Sequence, residues 1–420
     1  MAAKTEPGLD LGVLPRMLIY RFSELNPELR RDPHAMLDPQ RETAPIDRDE
    51  VIPALYITAY GTAKDLLVDS SISRNFEYAS PANPVINAVR ALNKAVEGEF
   101  GRHDSMLVLD DPDHARVRGI VAKAFLARAA QARPEIERIV ERALSRLDGR
   151  ESFDVVEEFA CQVPIHVLGS ILGCDEADRD QLRRWTEAGQ RAFDPTMGAD
   201  GTEMAIEGRR GILSYFRDRI ELRRKEPGDD LVSDLLKAQA DGAPINDVEI
   251  LHNMFALLVA GHLTTADLIG NGVMLLLTHE GAREKLRANP ALVASAVDEM
   301  LRYEPPIATT ARFPNVDGKL AGCPYHKGDA LTVSVLAANR DPAAFERPHE
   351  FDITRRPNPH LAFGAGSHMC VGAPLARMEG QAAIAGLFGR FPNLRLAKDG
   401  APEWRAVAGV RGLARLDVLT

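Results

Sequence analysis

The stretch His360-Leu361-Ala362-Phe363-Gly364-Ala365-Gly366-Ser367-His368-Met369-Cys370-Val371-Gly372-Ala373-Pro374 decides the fold. Gly364, Gly366 and Gly372 flank one cysteine, so the backbone can turn tightly there and approach a bound group closely. Pro374 then leads a run with Leu375, Met378, Ile384, Leu387, Phe388 and Phe391 at helical spacing. The pattern predicts an amphipathic helix whose N-terminus follows Cys370. Free backbone N–H groups and the helix macrodipole favour a thiolate at that point. An anionic sulfur in a glycine loop suits axial ligation of a metal. Two other readings of the residues alone stay open: a buried structural thiol, and a nucleophile with His368 beside it, for which no orienting Asp or Asn can be named. Four close ligands for zinc are not visible.

Outward from this loop, the composition is ordinary for a globular protein. The chain has 420 residues, 45% hydrophobic and 27% charged, enough for one large domain or up to three small ones and for a core that encloses a cofactor and a substrate. No linker or internal repeat divides it, so it reads as a single domain, 1–420. The formal net charge of −10 opposes non-specific phosphate binding, which argues against nucleic acid as a partner. Between His114 and Pro134, however, Arg116, Arg118, Lys123, Arg128 and Arg133 occur with no acidic residue, which suggests a local anionic partner or a solvated helix face. Cys161, Cys174, Cys323 and Cys370 form no C-x-x-C pair, and the N-terminal residues do not read as a signal peptide. Free thiols in a reducing cytoplasm are the expectation.

Helical periodicity dominates. Helices are expected from about Val117 to Ala130, from Pro134 onward, and from Ile212 to Lys225, where Pro227-Gly228-Asp229-Asp230 stops the last. Asn246-Asp247-Val248-Glu249 opens the longest apolar stretch. Its core, Met254 to Leu277, has membrane-spanning length but contains His262, Thr264, Thr265, Asp267 and Asn271. A mid-span aspartate costs about 2.5–3.5 kcal/mol on insertion scales, so a buried core helix is expected and no membrane anchor. Strand signals are few: Leu331 to Leu336 is clearest, with short candidates near Val51–Tyr60 and Leu416–Leu419.

The run F-G-A-G-S-H-M-C-V-G resembles the haem-binding signature of the cytochrome P450 family, with Phe363, Gly364, Gly366, His368, Cys370 and Gly372 at its fixed positions. At average residue usage a chance match is on the order of one in a hundred million per start site. The resemblance implies a mainly α fold: a helix-rich prism with small β-sheets and one long central helix. It implies haem b, Cys370 as the thiolate ligand of its iron, Phe363 packed beside the haem, and His368 donating to a haem propionate. Asp111-Pro112-Asp113-His114-Ala115-Arg116-Val117-Arg118 resembles the family's propionate-binding helix start, which assigns His114 and Arg118 to the propionates, with Arg312 as a further contact. Glu299-Met300-Leu301-Arg302 and Phe351-Asp352-Ile353-Thr354-Arg355 resemble the segments of the family's structural triad Glu299, Arg302 and Arg355. Ala260-Gly261-His262-Leu263-Thr264-Thr265 resembles the oxygen-activation turn, with Thr264 as the catalytic threonine.

One departure stands out. The family usually carries Asp or Glu just before that threonine, and here the residue is Leu263. Asp267, three residues beyond Thr264, is expected to relay protons in its place, or ordered water does so. Candidate pocket walls are Val259, Ala260, Leu263, Ile307 and Thr309, with a loop from Ser80 to Phe100. The resemblance implies a soluble bacterial-type monooxygenase that oxidises a small organic substrate with dioxygen and two electrons from a ferredoxin served by its reductase. Two alternatives stand beside it: a peroxide-driven or non-oxidative haem-thiolate enzyme (peroxygenase or isomerase), and a haem-binding sensor without turnover.

Overall fold

The structure, a computed structural model, describes residues 17–102, 105–190, 198–397 and 402–420. Its axis is the central helix Asp247–Thr278. The Asn246 side chain accepts from the Glu249 amide at 2.9 Å, and the Glu249 carboxylate accepts from the Asn246 amide at 2.9 Å. This reciprocal cap stabilises a helix start by about 1 kcal/mol. The helix is long and apolar enough to cross a membrane, yet 78% of its most apolar window is buried inside the protein. There the Asn271 amide donates to the carbonyls of Glu304 (3.3 Å) and Arg411 (2.9 Å).

Helices Gln162–Leu172, Gly198–Lys225, Val293–Tyr303 and Ala373–Arg390 pack against this axis. The largest apolar cluster runs from Val96 to Val418 and joins nearly every helix of the described chain. A four-stranded sheet lies beside the bundle, in the order Ile46–Arg48, Ala54–Ile57, Ala330–Ser334, Thr309–Arg312. Its two middle strands pair in parallel, Leu55 opposite Leu331, and both are buried along their whole length, as expected of a sheet covered on both faces.

Several expected boundaries move. The helix expected from Val117 starts at Asp113, and the one expected from Ile212 starts at Gly198. The strand expected to reach Leu336 ends at Ser334. There the Ser334 hydroxyl accepts from the Ala337 amide at 3.2 Å and caps a short helix, Val335–Ala338; the cap overrides the β propensity of Val335. The segment expected as a loop, Ser80 to Phe100, is mostly the helix Pro84–Phe100, started by the Asn83 side chain and Pro84 and anchored by buried Leu92, Val96 and Phe100.

Candidate active site

The cysteine loop is built by short backbone bonds. The Cys370 amide donates to the Phe363 carbonyl at 2.9 Å and the Gly364 amide to Leu361 at 2.8 Å. Gly364 and Gly366 hold φ of 70° and 72°, and a Cβ on Gly366 would stand 2.7 Å from the Leu67 carbonyl oxygen; both strain and crowding reserve that position for glycine. The loop ends at the helix Ala373–Arg390, as the apolar spacing predicts. The Gly372 and Ala373 amides at the helix start pull the Cys370 thiol down, as do Arg118 and Arg377, while burial around the sulfur pushes it up. The residue itself is exposed on the open face of the loop, and Phe363 lies half-buried against the core with the Arg377 guanidinium 4.6 Å from its ring centre.

Beneath the loop, Glu299 and Arg302 are both fully buried and meet in a bidentate pair at 2.8 Å. Arg355 adds a third contact, its Nε 3.2 Å from both Glu299 oxygens. The remaining Arg302 donors reach the carbonyls of Asn339 (3.0 Å), Pro348 (2.8 Å) and Glu350 (3.0 Å). Every charge is paired and bonded, the condition under which a buried ion pair is tolerable. Asn358 also donates to Glu299 (3.1 Å), and the Asn339 side chain accepts from the Leu361 amide (2.7 Å) at the mouth of the cysteine loop. These two asparagines were not singled out in the sequence; only their nearness to charged partners in the fold marks them.

On one side of the loop a cationic cluster converges. His114 and His368 stack with ring centres 4.0 Å apart. Arg118 donates to the Met369 carbonyl at 2.5 Å. Arg312 is 3% exposed, and among the described residues its recorded hydrogen bond goes to the neighbouring Ala311 carbonyl. Arg74, another residue the sequence did not reveal, joins from the opposite wall through Thr310 (2.5 Å) and Ala311 (3.2 Å). Asp110 and Asp111 are the carboxylates beside the cluster. Burial, with Arg74 beside it, pushes Arg312 down to about 9, and burial with four positive neighbours pushes His368 down to about 3. The His114 Nε2 is buried without a hydrogen-bond partner. A buried cationic group left so poorly matched calls for an anion. The two propionates of haem b are such an anion, so the residues present fit the group.

The face of the central helix that carries the Ala260-Gly261 pair is open: Ala260 is exposed, and Val259, Gly261 and Thr264 are half-buried. The Thr264 hydroxyl donates to the Ala260 carbonyl at 2.7 Å, which leaves its oxygen free to accept. Ile307 and Thr309 are half-buried nearby in sequence to the Glu–Arg helix, Ile307 bridging to Val410. Leu263 departs from its expected place as a pocket wall: it is fully buried and packs into the protein. Asp267 is also buried, and is engaged by Arg405 through one carboxylate oxygen. Its Oδ2 has no hydrogen-bond partner, and burial pushes its carboxyl up to about 6.

The basic run is less free than its composition suggests. Arg116 binds Asp113 and Glu249, Arg128 binds Asp229 and Asp234, and Arg133 lies 3.8 Å from Glu137. Lys123 stays exposed.

A glycine-bound cysteine, a buried Glu–Arg–Arg support and an anion-seeking cluster on a helix-rich frame define a haem-thiolate protein. The comparisons with known proteins agree. The family model for cytochrome P450 matches residues 200–403. The chain is 38% identical to cytochrome P450 107B1 of Saccharopolyspora erythraea, over 98% of this chain and 99% of that one. It is 35% identical to the 6-deoxyerythronolide B hydroxylase of the same organism, over 90% and 93%. Among solved structures, the myxobacterial cytochrome P450 CYP267B1 in complex with myristic acid superposes with a TM-score of 0.86 at 34% identity, covering 94% of this chain and 98% of that one. The chain belongs to the cytochrome P450 family: it is a haem-thiolate monooxygenase, an oxidoreductase, with haem b as its cofactor.

Proposed function

We propose that this protein inserts one oxygen atom into a C–H bond of a small, largely apolar molecule, with two electrons delivered by a ferredoxin and its reductase. The observation that carries this reading is the open Val259–Ala260–Gly261–Thr264 face of the central helix, apolar except for one hydroxyl. The balance is one C–H bond, one dioxygen, two electrons and two protons in; one hydroxyl and one water out. A hydroxylase of a macrolide core and a fatty-acid-bound structure among the relatives support an apolar substrate. The large core that runs from Val96 to Val418 supports a single domain over 1–420. The buried, unpaired Cys161 and Cys174 suit a reducing cytoplasm.

When bound, the haem supplies the dioxygen chemistry, favoured by electron density from its sulfur ligand. The chain does the rest. Cys370 provides the sulfur, and His114, Arg118, Arg312 and His368, with Arg74, hold the propionates. Ala260 and Gly261 leave room above the open face. The Thr264 oxygen, its own hydrogen held by Ala260, accepts a hydrogen bond from an incoming water or oxygen species. Asp267, its carboxyl raised by burial to about 6, takes up and passes protons through its free Oδ2, and ordered water completes the relay.

A second reading is favoured by one observation: the position before Thr264 is an apolar, fully buried leucine. Hydrogen peroxide brings its own electrons and protons, so a peroxide-driven enzyme has less need of an acid there. One set of experiments separates the readings. The reduced protein with carbon monoxide should show the red-displaced band of a sulfur-bound carbonyl complex, lost in Cys370→Ser. A screen of apolar ligands should move ferric haem to high spin, and the hits should be hydroxylated with ferredoxin, reductase and NAD(P)H. Product with peroxide alone and none with the reductase chain would select the second reading. Spectral shifts with no product from either source would leave a sensor.

A further inference from the structure

Away from the haem side, the helix Pro33–Thr43 carries His34 and Asp38 one turn apart. His349, on the irregular segment after the Val335–Ala338 helix, comes up against them. One ligand atom from each of the three residues lies within 4.8 Å of the other two. The His349 Nε2 is 3.2 Å from Asp38 Oδ2, and the His34 Nδ1 is 3.8 Å from Asp38 Oδ1. Ligands around a tetrahedral zinc ion, each about 2.0–2.1 Å from the metal, sit roughly 3.3 Å apart, a spacing the His349–Asp38 contact already has.

The histidine supplies a second, independent observation. The His34 side chain is only 9% exposed, and neither ring nitrogen has a hydrogen-bond partner. A buried imidazole with two idle nitrogens is costly, and a metal ion removes that cost. The positive groups nearby are already committed. Arg41 binds Asp38 Oδ1, the oxygen that faces His34, at 2.8 Å and the Ala337 carbonyl at 3.1 Å, which leaves Oδ2, beside His349, for an ion. Arg340 binds Glu304 and the Tyr303 carbonyl and lies over the Tyr303 ring. An open cavity of about 700 Å³, lined in part by His34, His279, Tyr303 and His349, gives an ion and its water a path in.

We propose that His34, Asp38 and His349 bind one divalent transition-metal ion of the zinc type, with water in the open position. The site would act as a clamp. Pro348 and Glu350, on either side of His349, give their carbonyls to Arg302, and the His349 carbonyl accepts from the Tyr303 hydroxyl at 2.9 Å. An ion therefore ties the helix Pro33–Thr43 to the network that supports the cysteine loop. The proposal is independent of the substrate and of the redox partner.

The test uses the haem-loaded protein, stripped with a chelator and titrated with Zn²⁺. Metal analysis after dialysis should give one tightly held zinc per chain, and zinc should raise the unfolding temperature by a few degrees. His349→Ala, whose side chain is half-exposed and tolerates truncation, should weaken uptake at least tenfold and abolish the shift. Asp38→Asn should do the same. His326→Ala, at an exposed His–Asp pair elsewhere, should change neither. The carbon monoxide spectrum checks that each variant is folded. Uptake unchanged in folded His349→Ala, or no zinc held with a dissociation constant below about 100 µM, overturns the proposal.

Discussion

Asp267 and Leu263 define the chemistry that is particular to this chain. An acid is missing where the family has one, and a second acid sits one turn further on with a free oxygen and a pKa near neutrality. Asp267→Asn is expected to slow product formation by roughly 100-fold, the low end for a lost proton-transfer group, and so to lower product formed per NAD(P)H consumed; Leu263→Glu is expected to raise it. Both are read by product and NAD(P)H assays side by side, and an unchanged ratio in both removes the acid from the mechanism. Glu379 makes a separate, purely energetic case. It is 1% exposed with an unpartnered Oε2, and burial pushes its carboxyl up to about 8. A carboxyl raised in the folded state supports folding fully below its unfolded value near 4.5, and that support is lost as pH rises towards 8. At pH 7 the loss is about 3 kcal/mol. Glu379→Gln should therefore be indistinguishable from the parent near pH 4.5 and increasingly more stable than it up to pH 8, as read by denaturant unfolding across that range.

At the scale of elements, two contacts set the site. The helix Val293–Tyr303 presents Glu299 and Arg302 inward, and the chain from Asn339 to Leu361 wraps them with carbonyls and amides before entering the cysteine loop. Arg302→Leu leaves buried Glu299 with Arg355 as its one remaining cation and takes the donor from the Asn339 and Pro348 carbonyls, at a cost of about 3–5 kcal/mol. Low haem content and an early unfolding transition should follow, while the exposed pair Glu135–Arg138, of identical spacing, should tolerate Arg138→Leu with a change below about 1 kcal/mol. The C-terminal hairpin makes the second contact. A Cβ on Gly412 would collide with both the Asp267 carboxylate and the Arg405 guanidinium, so glycine is what lets the hairpin reach the central helix.

For the whole molecule, charge is the deciding property. With this protein at a net charge of −10, the acidic ferredoxin proposed as electron donor would be repelled at long range, so its docking would depend on local positive groups. Arg116 and Arg128 are occupied by carboxylates, which leaves exposed Lys123 on the helix that also carries Arg118. Lys123→Glu should reduce the ferredoxin-supported rate several-fold at low salt and leave the peroxide-supported rate unchanged; equal losses in both assays would place the effect outside docking.

What the sequence by itself determined was local in origin. The cysteine loop, its following helix, the central helix with its capping box and the Glu–Arg pair all rest on neighbouring residues whose chemistry is written at fixed spacings, so a linear reading reaches them. The contacts that only the tertiary structure decided join residues far apart in the chain. Arg74 reaches the propionate cluster, Asn339 meets the cysteine loop, Arg405 takes hold of Asp267, and His349 arrives beside His34. Burial and long-range pairing are properties of packing, and no window of sequence contains them.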